Sequence, residues 1–291
     1  WSGEVVAVGP GVSRFQKGDR VGVEVHCGCG GCKPCIEGLY NLCEHYGETD
    51  LGHAHVGFTT WGGFAEYAVV PAKVLHLLPD GLDWDTGAFT DNIGVALWAV
   101  ERGGIKPGDK VAVVGPGCFG LLAVQVARAM GAGEVVLVGT RADRLALGRQ
   151  LGADATVDVS TVADPVAAVK DIFGGKGADL VVEFAGSEAA AVQSLQMARR
   201  GGSVVLAGAT APGRTLQVDL SVIVRGHLNV HGSVANPMWV SRRGLELIQK
   251  GAIKVAPLIT HRLALADFGQ AWETTHGRTD GAIRVMMHPE G

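Results

Sequence analysis

A chain of 291 residues is long enough for two domains with sizeable cores, and 47% apolar with 19% charged residues is a globular rather than a disordered make-up. The formal net charge of −4, a pI of about 6.2 and the lack of basic runs interleaved with aromatics argue against a nucleic-acid partner. Glycine or charge interrupts every long apolar stretch before it reaches spanning length, so no transmembrane helix and no membrane partner are expected.

In chain order, residues 1–25 read as β-structure. The apolar run 4–9 is turned by Gly9-Pro10-Gly11, and Lys17-Gly18-Asp19 turns the chain again into a strand at 20–25. A cysteine-rich lobe occupies 26–45, and 62–71 reads as a further strand. Asp85 stands where it could cap a helix that reaches Ala88, and a longer apolar helix covers 93–100. Strands and helices then alternate: strand 111–114, helix 120–130, strand 135–138, helix 141–151, strand 180–184, helix 188–198, strand 203–207. This order predicts an α/β class with a doubly wound parallel sheet and helices on both faces. A strand near 228–231, a helix around 243–250 and a returning strand at 282–287 complete the pass.

Five of the six cysteines lie within 17 positions, which in a chain of this size suggests a metal more than a disulfide framework. No secretory signal opens the chain, although residue 1 is Trp rather than Met, and a reducing cytoplasm is expected. In Cys29-x2-Cys32-x2-Cys35-x7-Cys43, short spacings let one tight loop supply three thiolates and a longer gap lets the chain return with the fourth, as a closed tetrahedral zinc site requires. An iron–sulfur run opens similarly, but wants its fourth cysteine three residues on and followed by Pro. Cys27 is left over as a small apolar side chain or a free thiol.

The strand at 111–114 runs directly into Gly115-Pro116-Gly117-Cys118-Phe119-Gly120, and a helix follows at once. Strand before and helix after is the context in which G-x-G-x-x-G binds a dinucleotide. Gly115 makes the tight turn, Gly117 lets the backbone approach the pyrophosphate, and Gly120 lets helix and strand pack. Some other α/β fold could carry a similar turn. About 20 positions on, a carboxylate would bind the ribose of NAD. That place falls on Gly139. Thr140 can donate a hydrogen bond and Arg141 can pair with a 2′-phosphate, so NADP is expected over NAD. In the opposite reading Arg141 only opens a solvated helix and Asp143 takes the ribose.

Together these residues resemble the zinc-containing alcohol dehydrogenase branch of the medium-chain dehydrogenase/reductase superfamily, over nearly the whole chain. The carrying motifs are Val-Gly-Pro-Gly-Val at 8–12, Lys-Gly-Asp-Arg-Val at 17–21, the four-cysteine lobe, Gly-Gly-Phe-Ala-Glu-Tyr at 62–67, Lys-Pro-Gly-Asp-Lys-Val at 106–111, the phosphate loop, Leu-Gly-Ala-Asp at 151–154 and Ile-Thr-His-Arg at 259–262. His55-Val56-Gly57-Phe58 is similar to the polyol- and threonine-type members. The resemblance implies a split, mainly β, GroES-like catalytic domain at 1–92 and 233–291 around a Rossmann nucleotide-binding domain at 93–232. It implies hydride transfer between NAD(P) and an alcohol, ketone or aldehyde, and a homodimer or homotetramer built through the sheet edge.

The same resemblance implies a second, catalytic zinc. Residues 1–6 are similar to the segment just after the family's Gly-His-Glu, which puts the first two ligands upstream of residue 1 and implies low activity for the chain as written. The later ligand position matches Asp91, which could otherwise cap the helix at 93–100. Phe119 is implied behind the nicotinamide, and Arg284 near the cofactor phosphates or the family's Glu. His26, His45, His53 and His55 are the residues that could improvise a metal site, although such histidines are more often loop residues with ordinary hydrogen bonds; His261 reads as structural. Two other functions remain open: a zinc-free NADPH-dependent carbonyl, enoyl or quinone reductase, which would need neither the cysteine lobe nor Asp91, and a nucleotide-binding remnant without turnover.

Overall fold

The structure is a computed structural model that describes residues 1–208, 213 and 215–289. Residues 290 and 291, at the end of the expected catalytic segment, lie outside the described residues. The chain forms two compact units, Trp1–Val95 with Ala235–Gly291, and Ala96–Val234.

The first unit opens with β1 (Ser2–Glu4), β2 (Arg20–Val23), β3 (His26–Cys27), α1 (Lys33–Ile36), β4 (Ala54–His55) and β5 (Leu75–Leu77). β1, β2 and β5 make an antiparallel sheet, with Gly3 opposite Val21 and Gly22 opposite His76. β3 pairs with β4, which sets His26 opposite His55. Val21, Val23, Val56, Val74 and Phe15 close a small core beneath them.

Three expectations fail in this stretch. The run 4–9 is no strand beyond Glu4, and Val6 and Val8 are exposed. Residues 62–71 form no strand, because no strand among the described residues pairs with them and β-propensity alone does not hold an extended chain. Phe64, Tyr67 and Val69 accordingly face solvent. The cap of α2 (Trp84–Gly87) is Asp83, whose carboxylate accepts the Thr86 N–H at 2.7 Å; Asp85 turns instead to Arg262 at 2.6 Å and His288 at 3.1 Å.

α3 (Thr90–Arg102) follows. The second unit then runs β6 (Lys110–Val114), α4 (Cys118–Ala129), β7 (Glu134–Gly139), α5 (Ala142–Gln150), β8 (Ala155–Asp158), α6 (Pro165–Ile172), β9 (Ala178–Glu183), α7 (Glu188–Met197), β10 (Ala198–Leu206), α8 (Leu220–Gly226) and β11 (Asn229–Gly232). Its six strands are all parallel, in the order β11-β10-β9-β6-β7-β8. This is the doubly wound sheet expected, and the order reverses between β6 and β9. Helices cover both faces, so the central strands are continuous apolar runs: Val111–Val114 and Val135–Val138 are all buried.

The chain ends, in the first unit, with α9 (Met238–Gln249), β12 (Ile259–Ala264), α10 (Phe268–Gly277) and β13 (Arg284–His288). β12 and β13 pair in parallel. α9 packs tightly on the start of α3, since a Cβ on Gly244 would stand 2.7 Å from Ile93 and one on Gly94 2.5 Å from the Ser241 hydroxyl. No helix among the described residues is long and apolar enough to cross a membrane.

Candidate cofactor and metal sites

The lobe after β3 turns on glycine. Gly30 and Gly38 take left-handed backbone at φ 85° and 83°, and a Cβ on Gly28 would press to 2.5 Å from the Cys35 sulfur. These turns bring the Sγ atoms of Cys29, Cys32, Cys35 and Cys43 within 4.8 Å of one another. Cys29 and Cys35 stand 3.9 Å apart, as do Cys32 and Cys43. That is far beyond a disulfide bond of about 2.0 Å. It fits the separation of about 3.8 Å that a tetrahedron of Zn–S bonds near 2.3 Å demands. N–H groups of Gly31 and Cys32 point at the Cys29 sulfur and hold its pKa down to about 6, whereas burial pushes the Cys35 thiol up to about 12. A divalent cation would resolve this mismatch by deprotonating all four. Cys27 stands outside the quartet, with its thiol turned to the Gly52 carbonyl.

In the second unit β6 delivers the chain to a turn whose three glycines serve different ends. Gly115 has φ 102°, and a Cβ there would lie 2.7 Å from the Ala185 nitrogen. A Cβ on Gly120 would lie 1.9 Å from the Gly115 carbonyl oxygen. Around Gly117 the space is open, with nothing within 4 Å of an added Cβ. Gly117 is also the N-cap of α4 and offers no side chain to its first turn. The helix start therefore presents backbone N–H groups and a positive dipole end to open space. Cys118 and Phe119 begin α4, and the Phe119 ring stacks on Phe184 at 6.0 Å and 20°.

At the end of β7 a Cβ on Gly139 would collide with the Pro116 ring at 2.3 Å. The missing acid at that position thus has a steric cause inside the phosphate turn itself. Thr140 is exposed, Arg141 is half-buried at the N-cap position of α5, and Asp143 is exposed in its first turn.

In the first unit Asp91 lies inside the first turn of α3, so it does not cap that helix. Its Oδ1 is sealed from solvent and has no hydrogen-bond partner. Burial pushes its carboxyl up, against the pull of neighbouring positive charge, the Val25 N–H and Arg284. Arg284 donates to the Asn92 side chain at 2.7 Å. Among the described residues no group but the four cysteines brings three metal-ligand side chains together, so Asp91 by itself does not make a metal site. The histidines do not improvise one either. His26 stacks on His55 at 4.1 Å, Tyr46 bonds the His55 Nδ1 at 2.5 Å, His53 accepts the Gly47 N–H, and His45 faces Glu48.

Glu24 escaped the motif reading. It is fully buried, both oxygens lack a hydrogen-bond partner, and His76 Nε2 lies 3.6 Å away. Burial, then the nearby Asp91, push Glu24 well up, and burial drives His76 down to about 4, so burial disfavours the charged form of both partners. The available signal was a lone charge in the apolar stretch Val21-Gly22-Val23-Glu24-Val25.

Residues 118–249 match the family described as zinc-binding dehydrogenase, and residues 1–80 match the alcohol dehydrogenase GroES-like domain. L-threonine 3-dehydrogenase of Bacillus licheniformis is 36% identical over 276 residues, which cover 94% of this chain and 76% of that protein. Sorbitol dehydrogenase of Halalkalibacterium halodurans is 32% identical, over 99% of this chain and 82% of that protein. A crystal structure from Sinorhizobium meliloti, described as a zinc-binding dehydrogenase bound to NADP, superposes with a TM-score of 0.89 at 33% identity, covering 99% of this chain and 82% of the other.

Proposed function

The chain belongs to the zinc-containing medium-chain dehydrogenase/reductase family, and from that premise we propose that it transfers a hydride between NADP and a secondary alcohol or polyol. The observation that carries this reading is the open space at Gly117, at the uncapped start of α4 and directly after β6. A pyrophosphate fits there against backbone N–H groups. Gly115 and Gly120 keep the turn close to the sheet, and Cys118 contributes backbone at the helix start. Gly139 leaves the ribose side free of a carboxylate, and Thr140 and Arg141 are assigned to the 2′-phosphate. Phe119 is assigned to the wall behind the nicotinamide. The bound nicotinamide supplies the hydride donor or acceptor. A NADP-bound relative supports the choice of cofactor, and threonine and sorbitol dehydrogenases as relatives support a hydroxylated substrate.

Cys29, Cys32, Cys35 and Cys43 are assigned to one zinc. Four thiolates fill a tetrahedron and leave no position for substrate, so that ion braces the lobe rather than reacting. Asp91 is assigned as a ligand of a second, catalytic zinc, and Arg284 as the group that fixes its helix through Asn92. One carboxylate does not hold that ion alone. The open edge of β11, with Val230, Leu220 and Val224 exposed nearby, supports assembly into a homodimer or homotetramer.

The test is oxidation of secondary alcohols, sorbitol and threonine with NADP and NAD, with and without a chelator. Chelator-sensitive turnover with a higher kcat/KM for NADP is expected. Chelator-insensitive reduction of enones or quinones, or nucleotide binding with no turnover on any alcohol, would overturn the reading.

A further inference from the structure

In β9 the buried run Leu180-Val181-Val182 ends on an acid, Glu183. Glu183 is 2% exposed there, a position that an apolar side chain would fill at lower desolvation cost. Its Oε1 accepts the Gly186 N–H at 2.7 Å, and the Gly208 backbone packs against the other oxygen, Oε2. Its main chain is equally committed. The Glu183 carbonyl accepts the Ala207 N–H at 2.9 Å, and the next N–H, of Phe184, donates to the Val114 carbonyl at 2.8 Å. Little slack remains. A Cβ on Gly208 would lie 2.6 Å from Glu183 Oε2 and 2.3 Å from the Gly186 nitrogen. The Ala185 nitrogen is in turn the atom that forbids a side chain on Gly115.

The carboxyl bonds the loop 184–187 after β9 and packs on the chain 207–208 after β10, and Ala185 of that loop abuts Gly115, so the phosphate turn after β6 joins the same block. These strands flank the point where the sheet order reverses, and ligands of open α/β sheets bind outside the carboxyl ends of the strands at that point. The phosphate turn accounts for the pyrophosphate. The two other segments continue along the same carboxyl edge, where the remainder of a dinucleotide has to lie.

We propose that Glu183 is a positioning residue that sets the height of the 184–187 and 207–208 backbone against the nicotinamide half of the bound dinucleotide. This rests on the dinucleotide reading above. Nothing in it requires Glu183 to touch the cofactor; it acts through the Gly186 N–H it holds and the Gly208 backbone packed on it.

The experiment compares two ligands on Glu183→Gln. One is NADPH; the other is 2′-phospho-ADP-ribose, which keeps the adenosine, 2′-phosphate and pyrophosphate but lacks nicotinamide. NADH and ADP-ribose form the parallel pair. Gln keeps the size and one acceptor, but turns an NH2 towards an N–H donor. Calorimetric Kd is expected to rise about tenfold for NADPH and by less than about twofold for 2′-phospho-ADP-ribose, the scale of one lost charge-assisted hydrogen bond acting on one half of the ligand. Equal weakening of both ligands, or of neither, overturns the proposal. Gly208→Ala crowds the same carboxyl and is expected to show the same split, which keeps the test available if Glu183→Gln does not fold. Restoration of NADPH binding by Glu183→Leu would reduce the residue to filler and overturn the proposal. A wild-type chain that binds none of the four ligands refutes the dinucleotide reading itself, and this proposal with it.

Discussion

In the unit Ala96–Val234 the four central strands each have a neighbour on both sides, and β6, β7 and β9 are largely buried on both faces. In the unit of Trp1–Val95 and Ala235–Gly291 the strands fall into separate sheets of three, two and two. The first arrangement is held by repetition: parallel ladders, apolar runs and helices at regular intervals. The second depends on particular side chains. Four sulfurs converge, Asp85 gathers Arg262 and His288, and Arg20 lies 4.2 Å over the Trp84 ring while donating to the Leu82 carbonyl. A few-stranded sheet with little core leans on such ties, so perturbations of chemistry should strike this unit and perturbations of backbone space should strike the other.

Cys35→Ser, or exhaustive chelation, is expected to have the largest effect. Structural zinc contributes on the order of 10 kcal/mol in small zinc-held folds. Loss of about one zinc per chain and rapid proteolysis within 26–45 should follow, while NADPH binding survives. An unchanged zinc content in Cys35→Ser would break the comparison at its strongest point.

Two glycine variants test the other unit. Gly120→Ala drives a methyl into the Gly115 carbonyl and is expected to cost about 2–3 kcal/mol of stability together with most nucleotide affinity. Gly117→Ala meets open space, so Tm should hold within about 1 °C while the Kd for NADPH rises more than about tenfold, because the methyl stands where phosphate would. Equal effects of the two on Tm would mean that the turn is merely structural.

Acid should separate the units. His26 is held down to about 3 and His76 to about 4, first by burial, against an unfolded value near 6.5. A depressed folded pKa means that the unfolded chain binds the proton first, so their contribution is complete above pH 6.5 and is lost as pH falls towards 4 and then 3. The first unit is expected to melt at progressively lower temperature from pH 6.5 to 4, followed by tryptophan fluorescence and near-UV circular dichroism. Glu24 has the opposite sign. Its raised pKa makes ionisation destabilising as pH climbs, so Glu24→Gln should raise Tm at pH 8 more than at pH 5. A flat Tm from pH 7 to 4 would contradict the buried neutral histidines.

Smaller effects sharpen the steric claims. Gly139→Asp alone should fold poorly against Pro116. Paired with Pro116→Ala it should shift the NADP-to-NAD ratio of kcat/KM by about tenfold towards NAD, equivalent to about 1.4 kcal/mol. No shift in the double variant would remove Gly139 from the cofactor choice. Asp83→Ala removes the α2 cap and should cost about 1 kcal/mol in urea denaturation, whereas Asp85→Ala should leave that helix start intact.

Most of the cofactor unit was legible along the chain. Strand, turn and helix follow one another without interruption at the phosphate loop, and β7, α5 and α7 repeat the pattern. The β8 edge strand and α6 both went unread; Asp164-Pro165 was the available signal for α6, where two N–H groups bond Asp164 Oδ1. In the other unit propensity misled. Residues 62–71 look like a strand but have no ladder among the described residues, and Asp85 was read as the cap of α2 where the Thr86 N–H bonds Asp83 instead.

The sequence by itself determined the alternation of strands and helices, the glycine turn before α4 and the spacing of four cysteines. Each of these is a relation between residues close along the chain, where periodicity and reach decide the outcome. Only the tertiary structure decided that Pro116 excludes a side chain at Gly139, that His76 faces Glu24, that Glu183 sits between Gly186 and Gly208, and that Arg284 meets Asn92 from 192 positions away. Those are contacts between separate segments. Burial and hydrogen bonding there follow from which surfaces the fold presses together, and no local pattern encodes that.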